Sequence, residues 1–392
     1  MKRENFMKSN IILPNINRRI NGISIAILFV LCMMLAPLGV GQAAPIPPQS
    51  TGVKWHPGHY YTIQNWANDD PIYMAKVYKE LKATPALRGM QMRFLWGWIE
   101  KSQGVYDFSI IDKHLAKLTA MNKRLVIQVQ TKSFDDDWKL IPDYLKAPKY
   151  EGGAFKYSDY GPITSNDGSR YGHNIKLWNP NVRDRLIALY RALGKRYNSH
   201  PNVEGIGMIE TAMGQAVKPL TTAQTDKWFD NLIIVQQRMR DFFPNTMTIQ
   251  EINYPRDYLK QITTAMVKMG GALGCPDVYP DEPGLNFPGN QYTPQGAYRY
   301  FSQLSGVIPI APTVEKVNYL NTRGDKKGHV PTVQELLVFA RDDLKANYIF
   351  WQRVPPYVDK VLEVMSFNSQ KNTPSGGLKS ACPKAYPSCI WN

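Results

Sequence analysis

Four glutamates stand where apolar runs of the chain give out. Glu210 closes "VEGIGMIE", Glu315 follows "IAPTV", Glu100 ends "FLWGWIE" and Glu251 lies within "TIQEINY". A carboxylate in such a place is either solvated in a loop or set at the mouth of a cleft. Two carboxylates facing each other across a cleft are the minimum equipment for hydrolysing a glycosidic bond. One protonates the leaving oxygen while the other attacks the anomeric carbon or activates water. Glu100 reads as a loop-supporting, structural residue. Glu251 is open to three roles: support of Arg93, contact with a sugar, or service as the second reacting carboxyl. Other chemistries find less in the sequence. "WHPGH" sets His56 and His59 close together, but no partnered cluster of ligands accompanies them, so no metal site is expected. No GxSxG elbow, HExxH helix or phosphate-cradling loop occurs, which disfavours esterase, zinc-protease and nucleotide-binding classes.

The elements that would position these glutamates alternate in type along the chain. Runs of strand character appear at "HYYTIQ", "MQMRFLW", "RLVIQVQ", "VEGIGMIE", "TMTIQEI", "ALGCPDVY", "VIPIAP" and "NYIFWQ". Stretches with helical spacing follow them. In "VRDRLIALYRALGKRY" the residues Val182, Leu186, Leu189, Leu193 and Tyr197 recur every three or four positions, one amphipathic face. Eight such units predict an α/β fold, a single-domain (β/α)₈ barrel. The runner-up, a doubly wound open sheet, lacks a glycine-rich fingerprint after its first strand. In a barrel the residues at the C-terminal strand ends share one mouth. The longest insertion, roughly 133 to 178 after the third strand, is expected to form a wall of that mouth.

Three stretches carry a family resemblance: "FLWGWIEKSQGVYDFSIID", "PNVRDRLIALYRALGKRYNSHPNVEGIGMIE", and the pair "APTVEK" and "IFWQR". The chain resembles the retaining glycoside hydrolases built on the (β/α)₈ barrel, in which one glutamate ends strand four and another ends strand seven. The resemblance implies Glu210 as acid/base and Glu315 as nucleophile, with Trp351 stacked on the sugar ring. It implies Arg93 and Tyr279 as donors that hold Glu315 ionised, and apolar surroundings that keep Glu210 protonated. Trp96 and Trp98 would line the cleft. Most members of that clan carry Asn immediately before the acid/base glutamate, where it bonds the sugar 2-hydroxyl; here the position is Ile209. Either Asn253 takes over that task, or the substrate lacks an ordinary 2-hydroxyl, or the site is not catalytic. Two alternatives therefore stand beside the retaining hydrolase: a non-catalytic polysaccharide-binding barrel, and an inverting hydrolase pairing Glu210 with Glu251.

Composition bounds the setting. The 392 residues are 43% hydrophobic and 20% charged, as in globular proteins. Residues 1–44 run from a basic head through "ISIAILFVLCMMLAPLGV" to "GQAAP", the order of a secretory signal peptide, and 45–52 reads as a linker to the barrel at 53–392. The mature chain is thus expected in the periplasm or outside the cell, with no membrane span. Export into an oxidising compartment suits a Cys382–Cys389 bridge across "CPKAYPSC". The formal charge is +15; residues 1–43 hold five basic side chains and one acidic, so the remainder keeps +11. That balance favours an anionic polysaccharide as partner. Nucleic acid is disfavoured, since no Lys/Arg cluster or recognition motif occurs. The implied chemistry needs no cofactor.

Overall fold

A computed structural model describes residues 52–134, 139–158 and 171–391 of the chain. The leader at 1–44 and all but the last residue of the 45–52 linker lie outside the described residues. Eight parallel strands close on themselves: β1 (Gly58–Ile63), β2 (Leu87–Leu95), β3 (Arg124–Gln130), β4 (Val203–Met208), β5 (Met247–Glu251), β6 (Ala272–Cys275), β7 (Ile310–Val314) and β8 (Tyr348–Gln352). Each pairs with the next, and β8 pairs back onto β1, so no edge is left open. Two strands are displaced from the apolar runs that announced them. β6 stops at Cys275, just before Pro276, and β7 starts at Ile310, after Pro309, with Pro312 inside it opposite Cys275.

A helix follows each strand. They are α1 (Pro71–Ala83), α2 (Ser109–Thr119), α3 (Pro180–Tyr197), α4 (Thr222–Phe242), α5 (Arg256–Met269), α6 (Ala297–Leu304), α7 (Val333–Val338) and α8 (Tyr357–Met365). Their starts are written locally. Asp70 caps α1 ahead of Pro71, Asn179 caps α3 ahead of Pro180, and Thr221 forms a capping box with Gln224 on α4. The spaced face of α3 is the buried one: Val182, Leu186, Leu189, Leu193 and Tyr197 all pack inward. Among the described residues no helix is long and apolar enough to cross a membrane.

Inside the barrel, side chains alternate between lumen and helix layer, and the lumen changes character along its axis. Its N-terminal half is filled by Trp55, Tyr60, Val126, Met247, Ile249, Tyr348 and Phe350. Each such side chain withdrawn from water contributes roughly 1.5–3 kcal/mol. A short strand, Val53–Lys54, closes this end by pairing with Cys389–Ile390, and Cys389 is disulfide-bonded to Cys382. Glu204 is fully buried here. Its carboxylate accepts from the His56 backbone N–H (2.7 Å) and from Tyr348 (2.7 Å), and it pairs with His56 Nδ1 (2.8 Å). The C-terminal half is polar instead: Thr62, Gln91, Arg93, Gln128, Glu251 and Thr313 occupy it, all buried.

The insertion after β3 is not a bare loop. It contributes the strands Lys132–Ser133, Ala154–Ser158 and Tyr171–Ile175 to a four-stranded antiparallel sheet, completed by Gln215–Ala216 from the loop after β4.

Candidate active site

Glu315 reaches the mouth by strand parity. On β7, Ala311 and Thr313 face the lumen, and the next position of that set is Glu315. Its Oε1 accepts from Arg93 Nη2 at 2.5 Å and its Oε2 from Gln64 Nε2 at 2.8 Å. Arg93, on β2, is held in place by two further acceptors, Gln64 Oε1 and Gln128 Oε1, both at 2.8 Å. The guanidinium is therefore oriented before any ligand arrives. Burial pushes the Glu315 carboxyl above its ordinary value, against the pull of Arg93 and Gln64 and with the push of Glu210.

Glu210 lies two residues beyond β4, where the chain leaves the barrel wall. Its Oε1 is 2.8 Å from Lys132 Nζ and its Oε2 accepts from Asn253 Nδ2 at 2.6 Å. Lys132 is itself 2% exposed, with its ammonium over the rings of Phe134 (4.6 Å) and Tyr157 (4.7 Å). Gly214 lets the loop after Glu210 press against that tyrosine. A Cβ there would stand 1.9 Å from Tyr157 Cδ2, and its φ of +74° already favours glycine. The two glutamate side chains keep 10% and 14% exposure, enough to touch a ligand from a site mostly out of water.

Two more carboxyls belong to this group. Glu251, 1% exposed, accepts from Thr313 Oγ1 at 3.2 Å, while its Oε2 is buried with no hydrogen-bond partner. Burial drives it up to about 7, assisted by Glu315 and Glu210 and opposed by Arg93 and Gln128. Asp277, just past β6, is pushed up to about 7 by burial and by the charges of Glu210 and Glu315, with Asn253 opposing. It keeps a partial opening to solvent, which tempers the effect of burial. The mouth thus gathers four carboxyls against two cations, and the two without a paired cation, Glu251 and Asp277, are the ones burial drives up to about 7.

The structure corrects several expected roles. Trp351 is no sugar platform: it is fully buried in the layer between barrel and helices, and its indole N–H donates to His59 Nδ1 at 3.2 Å. Tyr348 and Phe350 face the lumen, so by alternation Trp351, the next residue along the strand, must face out. Trp96 is likewise fully buried and donates to Glu100 Oε2 at 2.7 Å. Glu100 also accepts from the Gly104 N–H, Tyr144 and Arg185, the loop-supporting role read from its sequence context. Trp98 is half-buried, with its Nε1 buried and unpartnered. Asn253 is not free for a sugar 2-hydroxyl. Its Nδ2 holds Glu210, and its Oδ1 accepts from the N–H groups of Ala212 (3.0 Å) and Tyr254 (2.8 Å). Nor are the surroundings of Glu210 apolar, since the Lys132 ammonium and the Asn253 amide occupy its two oxygens. Tyr279, 9% exposed, lies on the loop after β6 with its ring edge 4.0 Å from the Cβ position of Gly324, while Arg93 and Gln64 donate to Glu315.

Sequence reasoning passed over Gln64, Gln128, Lys132 and Asp277. Parity would have found the first three, because Gln64 continues the lumen set of Tyr60 and Thr62, and Gln128 and Lys132 continue that of Val126. It also passed over Trp66, which stands 63% exposed two residues after Gln64, edge-on to Tyr73 at 5.6 Å. A hollow of about 540 Å³ opens beside the site between the 212–216 loop, Leu220 and Tyr254. A larger one, about 820 Å³, lies between α4 and α5 on the outside of the barrel, away from the carboxyls. Among the described residues no group of three or more His, Cys, Asp or Glu is arranged to hold a metal ion.

No protein-family model matches the chain, and no curated protein sequence does. Solved structures do. The chain is similar to the β-galactosidase of the psychrophilic Marinomonas ef1, with TM-score 0.54 and 10% identity over 82% of this chain and 61% of that one. It is similar to the β-galactosidase of Bacillus circulans sp. alkalophilus, with TM-score 0.50 and 10% identity over 77% and 51%. The same holds for that of the Antarctic haloarchaeon Halorubrum lacusprofundi, with TM-score 0.50 and 10% identity over 76% and 52%. This chain spans only about half to three-fifths of the length of those proteins. At this identity the likeness is one of fold: the chain is a (β/α)₈ barrel of the architecture those glycosidases use.

Proposed function

We propose that this chain is an exported retaining glycoside hydrolase that cleaves an extracellular or envelope polysaccharide through two glutamates. The observation that carries this reading is the placement of Glu210 and Glu315 after β4 and β7, each partly exposed, with Glu315 held by the preset Arg93 and Gln64. In the first step Glu315 attacks the anomeric carbon while Glu210 protonates the leaving oxygen. In the second Glu210 takes a proton from water, and the resulting hydroxide releases the sugar from Glu315. Lys132 lies 2.8 Å from Glu210 Oε1 and holds that carboxyl in position. The test is the anomeric configuration of the first-formed product together with Glu315→Gln. Retention, and loss of activity in the variant, are expected. Inversion, or full activity in Glu315→Gln, removes the assignment.

The ion pair between Lys132 and Glu210 also favours a second reading, a non-catalytic polysaccharide-binding barrel, because it occupies the group that should carry the proton. In that case Glu210→Gln and Glu315→Gln leave glycan binding intact, and no product forms with any glycan.

A further inference from the structure

The electrostatics of the mouth run against those of the whole chain. Residues 44–392 are strongly basic, which pointed to an acidic glycan, yet the site gathers Glu210, Glu251, Asp277 and Glu315 around two cations. Both cations are engaged: Arg93 lies on Glu315 and Lys132 on Glu210. A uronate would have to draw one of them from a nearly buried ion pair, and breaking such a pair is strongly unfavourable. A cation entering the mouth meets the opposite situation, since Asp277 has a carboxyl with no cation on it.

Hydrogen-bond capacity points the same way from separate residues. Gln130 and Asn174, 4% and 1% exposed, each carry a side-chain oxygen that is buried with no partner. Their amide nitrogens donate to the Lys132 and Met213 carbonyls, at 2.9 and 3.4 Å, which settles which way each amide points. Asn174 lies directly across from Lys132 in the antiparallel wall, so the two side chains share a face, and Gln130 belongs to the lumen set of β3. The wall behind Glu210 is therefore short of donors and holds spare acceptors.

We propose that this mouth selects a glycan bearing free ammonium groups, an unacetylated amino sugar, over its N-acetylated and uronic acid counterparts. An ammonium brings three donors and a positive charge to a mouth whose own two cations are already paired. An N-acetyl group removes the charge, and a uronate adds a fifth carboxylate. The inference rests on the glycan-binding reading of the site and does not need the chain to be catalytic.

The experiment is calorimetric titration of the full mature chain with tetramers of glucosamine, N-acetylglucosamine and galacturonate, with products followed by mass spectrometry. The expected preference for the glucosamine tetramer is at least about tenfold, the size of one charge-assisted hydrogen bond. Asp277→Asn should shrink that ratio to within about threefold. Equal affinity for the first two ligands, or tighter binding of galacturonate, overturns the proposal on the wild-type protein alone, whether or not the variant folds. Preferential binding of the glucosamine tetramer without cleavage sustains this inference while weakening the hydrolase reading. Cleavage of a neutral glycan with no such preference does the reverse.

Discussion

Glu251→Gln isolates one carboxyl whose environment leaves a measurable mark on stability. In the folded chain Glu251 titrates at about 7, against an ordinary 4.5, because it is buried beside two other carboxyls. Between those values the native state keeps a proton that the unfolded chain has lost. Stability therefore falls as pH rises through this window, and the loss is complete above about pH 7. At about 1.4 kcal/mol per pH unit, the loss assigned to this one group is about 3 kcal/mol. Glutamine cannot ionise, so the variant lacks that part of the slope. It also places an amide where the Glu251 Oε2 has no partner, at a cost of about 1–3 kcal/mol. That cost is independent of pH and cancels when conditions are compared. The measurement is urea unfolding of both proteins at pH 4.5, 6 and 8, with equal m-values as the check on two-state behaviour. The stability of the variant relative to wild type should rise by about 3 kcal/mol from the lowest to the highest pH. Parallel curves, constant to within about 0.5 kcal/mol, would show that Glu251 does not hold a proton at neutral pH and would undo the reading of the mouth as proton-loaded.

Arg93→Met leaves Glu315 nearly buried without its cation and should destabilise the fold by about 3–5 kcal/mol at pH 8. The deficit should shrink at pH 4, where Glu315 takes up a proton; a deficit that does not change with pH refutes the ion-pair account. Trp351→Phe removes a buried indole and its bond to His59, so unfolding should become easier by about 1–3 kcal/mol with glycan affinity unchanged. Trp66→Ala should do the opposite, lowering glycan affinity about tenfold at constant Tm; affinity loss in the Trp351 variant and not in this one would reverse the two assignments.

The barrel itself was legible because each strand–helix unit announces itself by a change of hydrophobic period. The buried face of α3 matches its apolar spacing residue for residue. Errors arose at the next level, where parity within a strand decides which side of the wall a residue occupies. The family resemblance put Trp351 at the mouth, yet Tyr348 and Phe350 on the same strand own the lumen. The same rule reaches Gln64 and Gln128, which look like unremarkable polar residues until the alternation is followed past the apolar part of each strand. Parity places Lys132 on the lumen side too, but its partners come from an insertion whose antiparallel pairing no local pattern specifies. Asp277 lies beyond Pro276, where β6 has already stopped, so neither period nor parity points to it.

Two glutamates in one lumen show what distinguishes support from function here. Glu204 and Glu251 are both buried to 1% or less, and burial pushes both carboxyls up. Glu204 nevertheless stays at about 2, because His56 and Tyr348 bond to it and the charge of Arg124 favours its ionised form. Glu251 receives far less: Thr313 on one oxygen, nothing on the other, and an Arg93 whose nearest carboxylate is Glu315. A lumen shaped for stability alone would pair Glu251 as thoroughly as it pairs Glu204. The closed end resembles the first case, with its carboxylate satisfied beneath the Val53–Lys54 and Cys389–Ile390 strands. At the open end the donors have been committed elsewhere, to Glu315 and Glu210, so that the carboxyl of Glu251 below them keeps an oxygen without a partner. The missing donors fall where a ligand can enter, and a ligand is what would supply them.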